Sequence, residues 1–230
     1  MKANAPSLIV YFTACFFAIG FNFLEELALL SYFKSIVLPS IFVYYLITNN
    51  YKIDMVKGGI FLFCFIGDIF NFLKLDNSAI FALISFLCAY LFLLKLVFDD
   101  FKKLNLVKKD VLSILIIMFA IGIICFTVLS LKFEKMMLDF SAYIIYGITL
   151  SLLSFFSVVN YIKRGSYAFF NLVVMVTCFI ISDIFFILDN FYLKLYVFTL
   201  TGIIPQVLSY FFMVNYFIEN DKDQTKLNSD

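Results

Sequence analysis

Histidine is absent from all 230 residues of this chain. That removes His-ligated metal sites, imidazole general bases and Ser-His-Asp triads together. Charge is scarce as well. Only 14% of residues are charged and the net charge is +1, so nothing favours a nucleic-acid partner. The five cysteines (Cys15, Cys64, Cys88, Cys125 and Cys178) all lie in apolar segments without metal-ligand spacing. They read as small core residues rather than disulfides or ligands. No metal and no cofactor is implied. What the chain has in abundance is apolar surface, with 64% hydrophobic residues and a mean hydropathy of +1.03. No soluble core absorbs that much, so the class is an integral membrane protein with the lipid bilayer as its partner.

A spanning helix needs about 20 apolar residues. On that measure eight segments stand out, at 7–24, 27–48, 58–74, 79–98, 111–131, 139–161, 167–188 and 195–217. The expected fold is all-α, a single eight-transmembrane-helix bundle over 1–217. A polar tail over 218–230 is expected to be disordered. The first segment is followed at once by further spans and reads as a retained helix, not a cleaved signal. Short polar breaks leave no room for a soluble domain and make consecutive helices antiparallel neighbours. Eleven Lys and Arg residues flank the spans on the side of the termini, against four on the other side (Lys74, Lys132, Lys135, Lys194). The positive-inside rule then places both termini in the cytoplasm, which means an inner membrane if the source is bacterial.

Two spans carry a carboxylate. Phe63–Leu73 reads F-C-F-I-G-D-I-F-N-F-L and Cys178–Leu188 reads C-F-I-I-S-D-I-F-F-I-L. An Asp at the middle of a membrane helix costs about 2.5–3.5 kcal/mol on insertion scales, and each Leu, Ile, Phe or Val returns only about 0.3–0.6. Such a residue points to a polar site inside the bundle. For either acid alone, a plain hydrogen bond to a neighbouring helix is the competing explanation. Asp68 and Asp183 fall on the third and seventh spans, 115 residues apart, at matching depth. That spacing points to two parallel four-helix repeats, with both acids facing each other or a common cavity. Two carboxyl groups in one dry chamber favour a state with one proton between them, an acid–base pair that needs no metal.

Lys34, about seven residues into the second span, lies near the same depth. Snorkelling to the interface explains it as readily as a role in pairing an acid or receiving a phosphate. Lys95 reads as snorkelling at the inner end. Asn22, Glu25, Glu26, Asn71, Tyr143 and Tyr146 are further candidates for an outward chamber, with Tyr90 and Gln206 deeper. Pro205 is expected to bend the eighth span and free a carbonyl. Taken singly, each of these is packing more often than chemistry.

Eight spans, Phe33-Lys34 early in the second, Ile66-Gly67-Asp68 on the third and Ser182-Asp183 on the seventh resemble the YhhN-like membrane family, which includes the lysoplasmalogenases. The helix order matches over nearly the whole chain and the motifs at a handful of positions. Family members typically carry K-P in the second span, whereas Ser35 follows Lys34 here and the proline is Pro39. They often carry a His and a Tyr three residues on in the fourth span, where this chain has Tyr90 and Leu93. The resemblance implies a membrane-embedded hydrolase that cleaves the vinyl ether of a lysoplasmalogen-like lysophospholipid or ether lipid. Asp68 and Asp183 would be catalytic in either order, and Lys34, Asn71, Tyr90 and Gln206 would meet the substrate.

The residues leave one rival open, a small proton-coupled transporter using the same buried acids. A purely structural or assembly role is the remaining option. Other families fit poorly. An aspartyl intramembrane protease would want G-x-G-D where Phe65-Ile66-Gly67-Asp68 stands, a retinal protein a Lys in the seventh span, and a ceramidase-like enzyme a His-bound zinc.

Overall fold

The computed structural model describes residues 5–73, 77–104, 111–130, 140–193 and 195–227. Its described elements are helical: α1 (Ala5–Phe23), α2 (Leu27–Thr48), α3 (Met55–Leu73), α4 (Ser78–Lys102), α5 (Val111–Leu129), α6 (Phe140–Arg164), α7 (Tyr167–Ile187) and α8 (Tyr196–Leu227). A five-residue π turn, Leu188–Tyr192, closes α7. Helix is the form that satisfies every backbone group within its own segment, which is what an apolar run in lipid requires. Among the described residues seven helices are long and apolar enough to cross a membrane, so the chain is a multi-pass membrane protein. The eighth, α5, contributes a shorter apolar stretch, Ile114–Thr127. Pro39 and Pro205 lie inside helices that continue past them. Lys2, Lys74, Lys108, Lys109, Lys132, Lys135 and Lys194, which enter the charge asymmetry, fall outside the described residues.

Six helices form a closed cycle of neighbours, in the order α2, α3, α4, α6, α7, α8 and back to α2. Helix α1 packs against α2 and α8 from outside the cycle, and α5 packs on α6. Exchanging α2, α3 and α4 for α6, α7 and α8 leaves this cycle unchanged, the relation that a parallel repeat of two halves would produce. Large aromatics turned outward, such as Phe16, Phe119 and Phe126 at 73%, 71% and 74% exposure, are what a lipid-facing surface carries. The core is built from the inward faces, among them Tyr45, Ile60, Leu93, Phe179 and Phe217.

Close approach of α3 to α4 depends on glycine. A Cβ at Gly67 would stand 2.9–3.1 Å from the Phe86 ring, and one at Gly59 3.4–3.5 Å from the Phe92 ring. The two aromatic rings of α4 thus rest in hollows on α3, and Gly67 sets the depth of the residue after it, Asp68.

The end of the bundle where α4, α6 and α8 terminate is tied by polar groups, and here the structure corrects the expected boundaries. Helix α4 does not stop at 98 but runs to Lys102, carrying Asp100 into the bundle at 2% exposure. Asp100 accepts hydrogen bonds from Tyr216 Oη (2.9 Å) and Asn220 Nδ2 (3.1 Å) and pairs with Lys103 Nζ (3.3 Å). Its backbone carbonyl accepts from Arg164 (2.6 Å). Lys57 forms an ion pair with Asp221. Helix α8 therefore continues well beyond 217, to Leu227, and residues 218–227 are not the disordered tail that their polarity predicts. Hydropathy drops after Phe217, but Asn220 and Asp221 find partners on α4 and α3 that keep the helix docked. Asp100→Ala should destabilise the folded protein by about 2–3 kcal/mol, the scale of hydrogen bonds to a charged group. Asp99→Ala, at an exposed neighbour, should stay within about 0.5 kcal/mol. Denaturant unfolding in detergent would measure both.

Candidate functional site

Asp68 stands five residues before the end of α3 and Asp183 four before the end of α7, so both sit at the same end of the bundle. They are 2% and 7% exposed. Buried carboxyl groups at this depth need donors, and the helices across the cycle supply them. Asp68 Oδ1 accepts from Gln206 Nε2 (2.8 Å), and Oδ2 accepts from Tyr210 Oη (2.8 Å). Gln206 and Tyr210 are four residues apart and share a face of α8. Asp183 Oδ2 accepts from both Tyr90 Oη on α4 and Tyr146 Oη on α6, each at 2.7 Å. The Tyr90 and Tyr146 rings meet edge to face with centroids 5.8 Å apart, which locks both phenols toward the acid.

The arrangement follows the exchange of halves. The α3 acid is held by a tyrosine of α8, and the α7 acid by a tyrosine of α4. Symmetry breaks on the flanking helices. On α6 the side chain beside Asp183 is the neutral phenol of Tyr146, whereas on α2 the side chain in electrostatic range of Asp68 is Lys34. Lys34 is 7% exposed, with its ammonium 5.2 Å from the centroid of the Phe72 ring. Among the described residues no hydrogen bond or close ion pair reaches that ammonium.

Two recesses open beside the acids, on different faces of α7. A cavity of about 550 Å³ is lined by Lys34, Asn71, Ser78, Ser182, Asp189 and Gln206 together with apolar side chains of α2, α7 and α8. Gln206 is thus shared, facing this cavity and holding Asp68. The second recess is an apolar slot of about 250 Å³ between α5, α6 and α7, whose wall includes Ile180, Ile184, Tyr143, Tyr146 and Asp183.

Of the residues singled out by sequence, Lys34, Asn71 and Gln206 come together on the first cavity, and Tyr90 is a direct partner of Asp183. Tyr143 and Tyr146 lie on the slot. Asn22, Glu25 and Glu26 do not line either recess, and Lys95 lines a separate polar pocket at the other end of the bundle with Asp54 and Asp99. The direct meeting of the two acids is corrected. Each carboxyl group is bound in its own set of donors, and no hydrogen bond joins Asp68 to Asp183 among the described residues. Between the sets lies Phe179, whose ring packs on Tyr90 (5.2 Å) and Tyr210 (6.2 Å). Cys64, one turn before Asp68, is in electrostatic range of both acids. Tyr210 was missed by the sequence reading. Its one available signal was its place one turn beyond Gln206, which a chain with 14 tyrosines does not single out.

These positions can be set beside known proteins. Comparisons with curated proteins and with solved structures return no match. A family model described as the YhhN family matches residues 29–218, from the start of α2 to the far part of α8. That span contains both acids, Lys34 and all three tyrosines bonded to the carboxylates. With the great majority of its length inside that match, the chain belongs to the YhhN family.

Proposed function

We propose that this protein is a membrane-embedded hydrolase of lysophospholipid-type ether lipids, with the vinyl ether of a lysoplasmalogen as the bond cleaved and Asp68 and Asp183 as the acid–base pair. The observation that carries this reading is the pair of buried, donor-bound carboxyl groups at one end of the bundle, Asp68 bonded to Gln206 of a polar cavity that also holds a buried lysine and Asp183 on the wall of the apolar slot. Cavities of this size accommodate a ligand's polar portion, and this one mixes an ammonium, amides and hydroxyls with apolar walls, as an amphiphile requires.

The chemistry suits two carboxyl groups. A vinyl ether is cleaved by transferring a proton to its β carbon, the alkene carbon not bonded to oxygen, which leaves an oxocarbenium ion at the carbon bonded to oxygen. Water adds to that carbon and gives up a proton, forming a hemiacetal that collapses to a fatty aldehyde and a glycerophospho-alcohol. One aspartic acid supplies the proton, and the other, as carboxylate, stabilises the cation and takes the proton from water, as paired carboxylates do in glycoside hydrolysis. Lys34 would receive the lipid phosphate, a role supported by its place on the cavity wall and by the absence of any hydrogen bond or close ion pair to its ammonium among the described residues. Asn71, one turn beyond Asp68 on the same cavity, would bond the glycerol hydroxyls.

A second reading, a proton-coupled carrier, is favoured by one observation: each half of the helix cycle contributes one acid at an equivalent place. A single assay separates the two. Purified protein incubated with lysoplasmalogen should release aldehyde, and Asp68→Asn and Asp183→Asn should each lower the rate by about 10²–10⁴-fold, the usual worth of a general acid or base. Absence of aldehyde from any lysolipid, combined with pH-driven uptake into liposomes, would establish the carrier instead. Lys34→Met should weaken binding of the phosphate-bearing lipid by about 10–100-fold, the scale of a lost charge-assisted contact. Unchanged lipid affinity in that variant would remove the lysine from the site.

A further inference from the structure

Asp68 and Asp183 occupy equivalent places but unlike surroundings. Both oxygens of Asp68 accept hydrogen bonds, from an amide N–H that can only donate and from a phenol. Lys34 on α2 lies in electrostatic range of the same carboxylate. A cation buried among helices in lipid is costly unless a counter-charge is near, and Asp68 is the acid that interacts with it. Asp183 differs on each count. Its interacting groups are Tyr90 on α4 and Tyr146 on α6, both neutral, with Cys64 of α3 nearby and no Lys or Arg among its partners in the described residues. Both phenols donate to Oδ2, and Oδ1 carries no hydrogen bond among the described residues. Asp183 also lies on the wall of the apolar slot, where a lone negative charge would have no compensation.

We infer that the two acids have fixed, unequal roles: Asp183 carries its proton on the unbonded Oδ1 and is the proton donor, while Asp68, with donors on both oxygens and Lys34 within electrostatic range, is the carboxylate that assists water. Tyr90 and Tyr146 are positioning residues that occupy Oδ2 and so leave Oδ1 for the proton. Lys34 then has two functions, keeping Asp68 ionised and meeting phosphate. In the transfer step the Oδ1–H bond breaks as a C–H bond forms on the alkene carbon. Asp183 is left as the anion, and Asp68 takes the proton released by the attacking water. A proton passed back to Asp183 closes the cycle.

The catalytic half of this assignment rests on the hydrolase reading, whereas the protonation half does not. Infrared spectroscopy of the protein in lipid bilayers at neutral pH measures the latter directly. The carbonyl stretch of an undissociated carboxylic acid in a dry site should be present in the wild-type protein and in Asp68→Asn, and absent from Asp183→Asn. Lys34→Met should add a second such band, from Asp68. A band that survives in Asp183→Asn, one that vanishes in Asp68→Asn, no band at all, or no second band in Lys34→Met overturns the inference, whichever lipid is cleaved. Once aldehyde release is measured, glycine variants test the roles. Formic acid should restore turnover to Asp183→Gly increasingly as pH falls and the undissociated acid accumulates. Asp68→Gly should instead follow the formate anion and be restored as pH rises. Any other pattern of rescue overturns the assignment of donor and base.

Discussion

A carboxyl group inside an apolar bundle has no water to turn to, so the helices around it must bring donors, and that demand organises this molecule. Asp68 draws Gln206 and Tyr210 of α8 toward α3, and Asp183 draws Tyr90 of α4 and Tyr146 of α6 toward α7. Non-specific apolar packing in lipid does little to choose among neighbours, because a lipid tail is as apolar as a leucine. Hydrogen bonds that cross from one half of the bundle to the other do choose. The close fit of Phe86 on Gly67 then holds Asp68 at the level where its partners can reach it.

The same demand, met differently on the two sides, turns a near-symmetric frame into an asymmetric site. A lysine on α2 and a tyrosine on α6 occupy corresponding flanks of the two acids. One carboxyl group therefore has a cation in electrostatic range and, through Gln206, a link to a polar cavity, the other phenols and an apolar slot. Amphiphiles present the same division, a charged head and a hydrocarbon chain, which is what supports the proposed lipid substrate.

At the far end of the bundle the polar network is of a different kind. Asp100 is saturated by Tyr216, Asn220, Lys103 and, through its carbonyl, Arg164. Asp100 there is committed to holding α4, α6 and α8 together, which suits an anchor. The acids near the two recesses keep an oxygen or a neighbouring lysine uncommitted.

How much of this was legible beforehand depends on the range of the interaction. Helix number and most boundaries followed from runs of apolar residues, because lipid imposes a length of about 20 residues on each span and permits little else. Asp68, Asp183 and Lys34 were conspicuous for the same reason, as charges where charge is expensive. The end of α8 was misread at Phe217 because local polarity ignores Asp100 and Lys57, which lie more than 100 residues away. The meeting of the two acids was misread for a related reason. Spacing along a helix gives depth, while the direction in which a side chain settles depends on which tyrosines the other helices bring. The amino-acid sequence by itself determined a helical membrane bundle with two acids at one level, since hydropathy and depth are properties of single segments. Which donors each acid holds, and that Lys34 stands with Asp68 rather than Asp183, was decided only by tertiary packing, since those partners come from helices far apart in the chain.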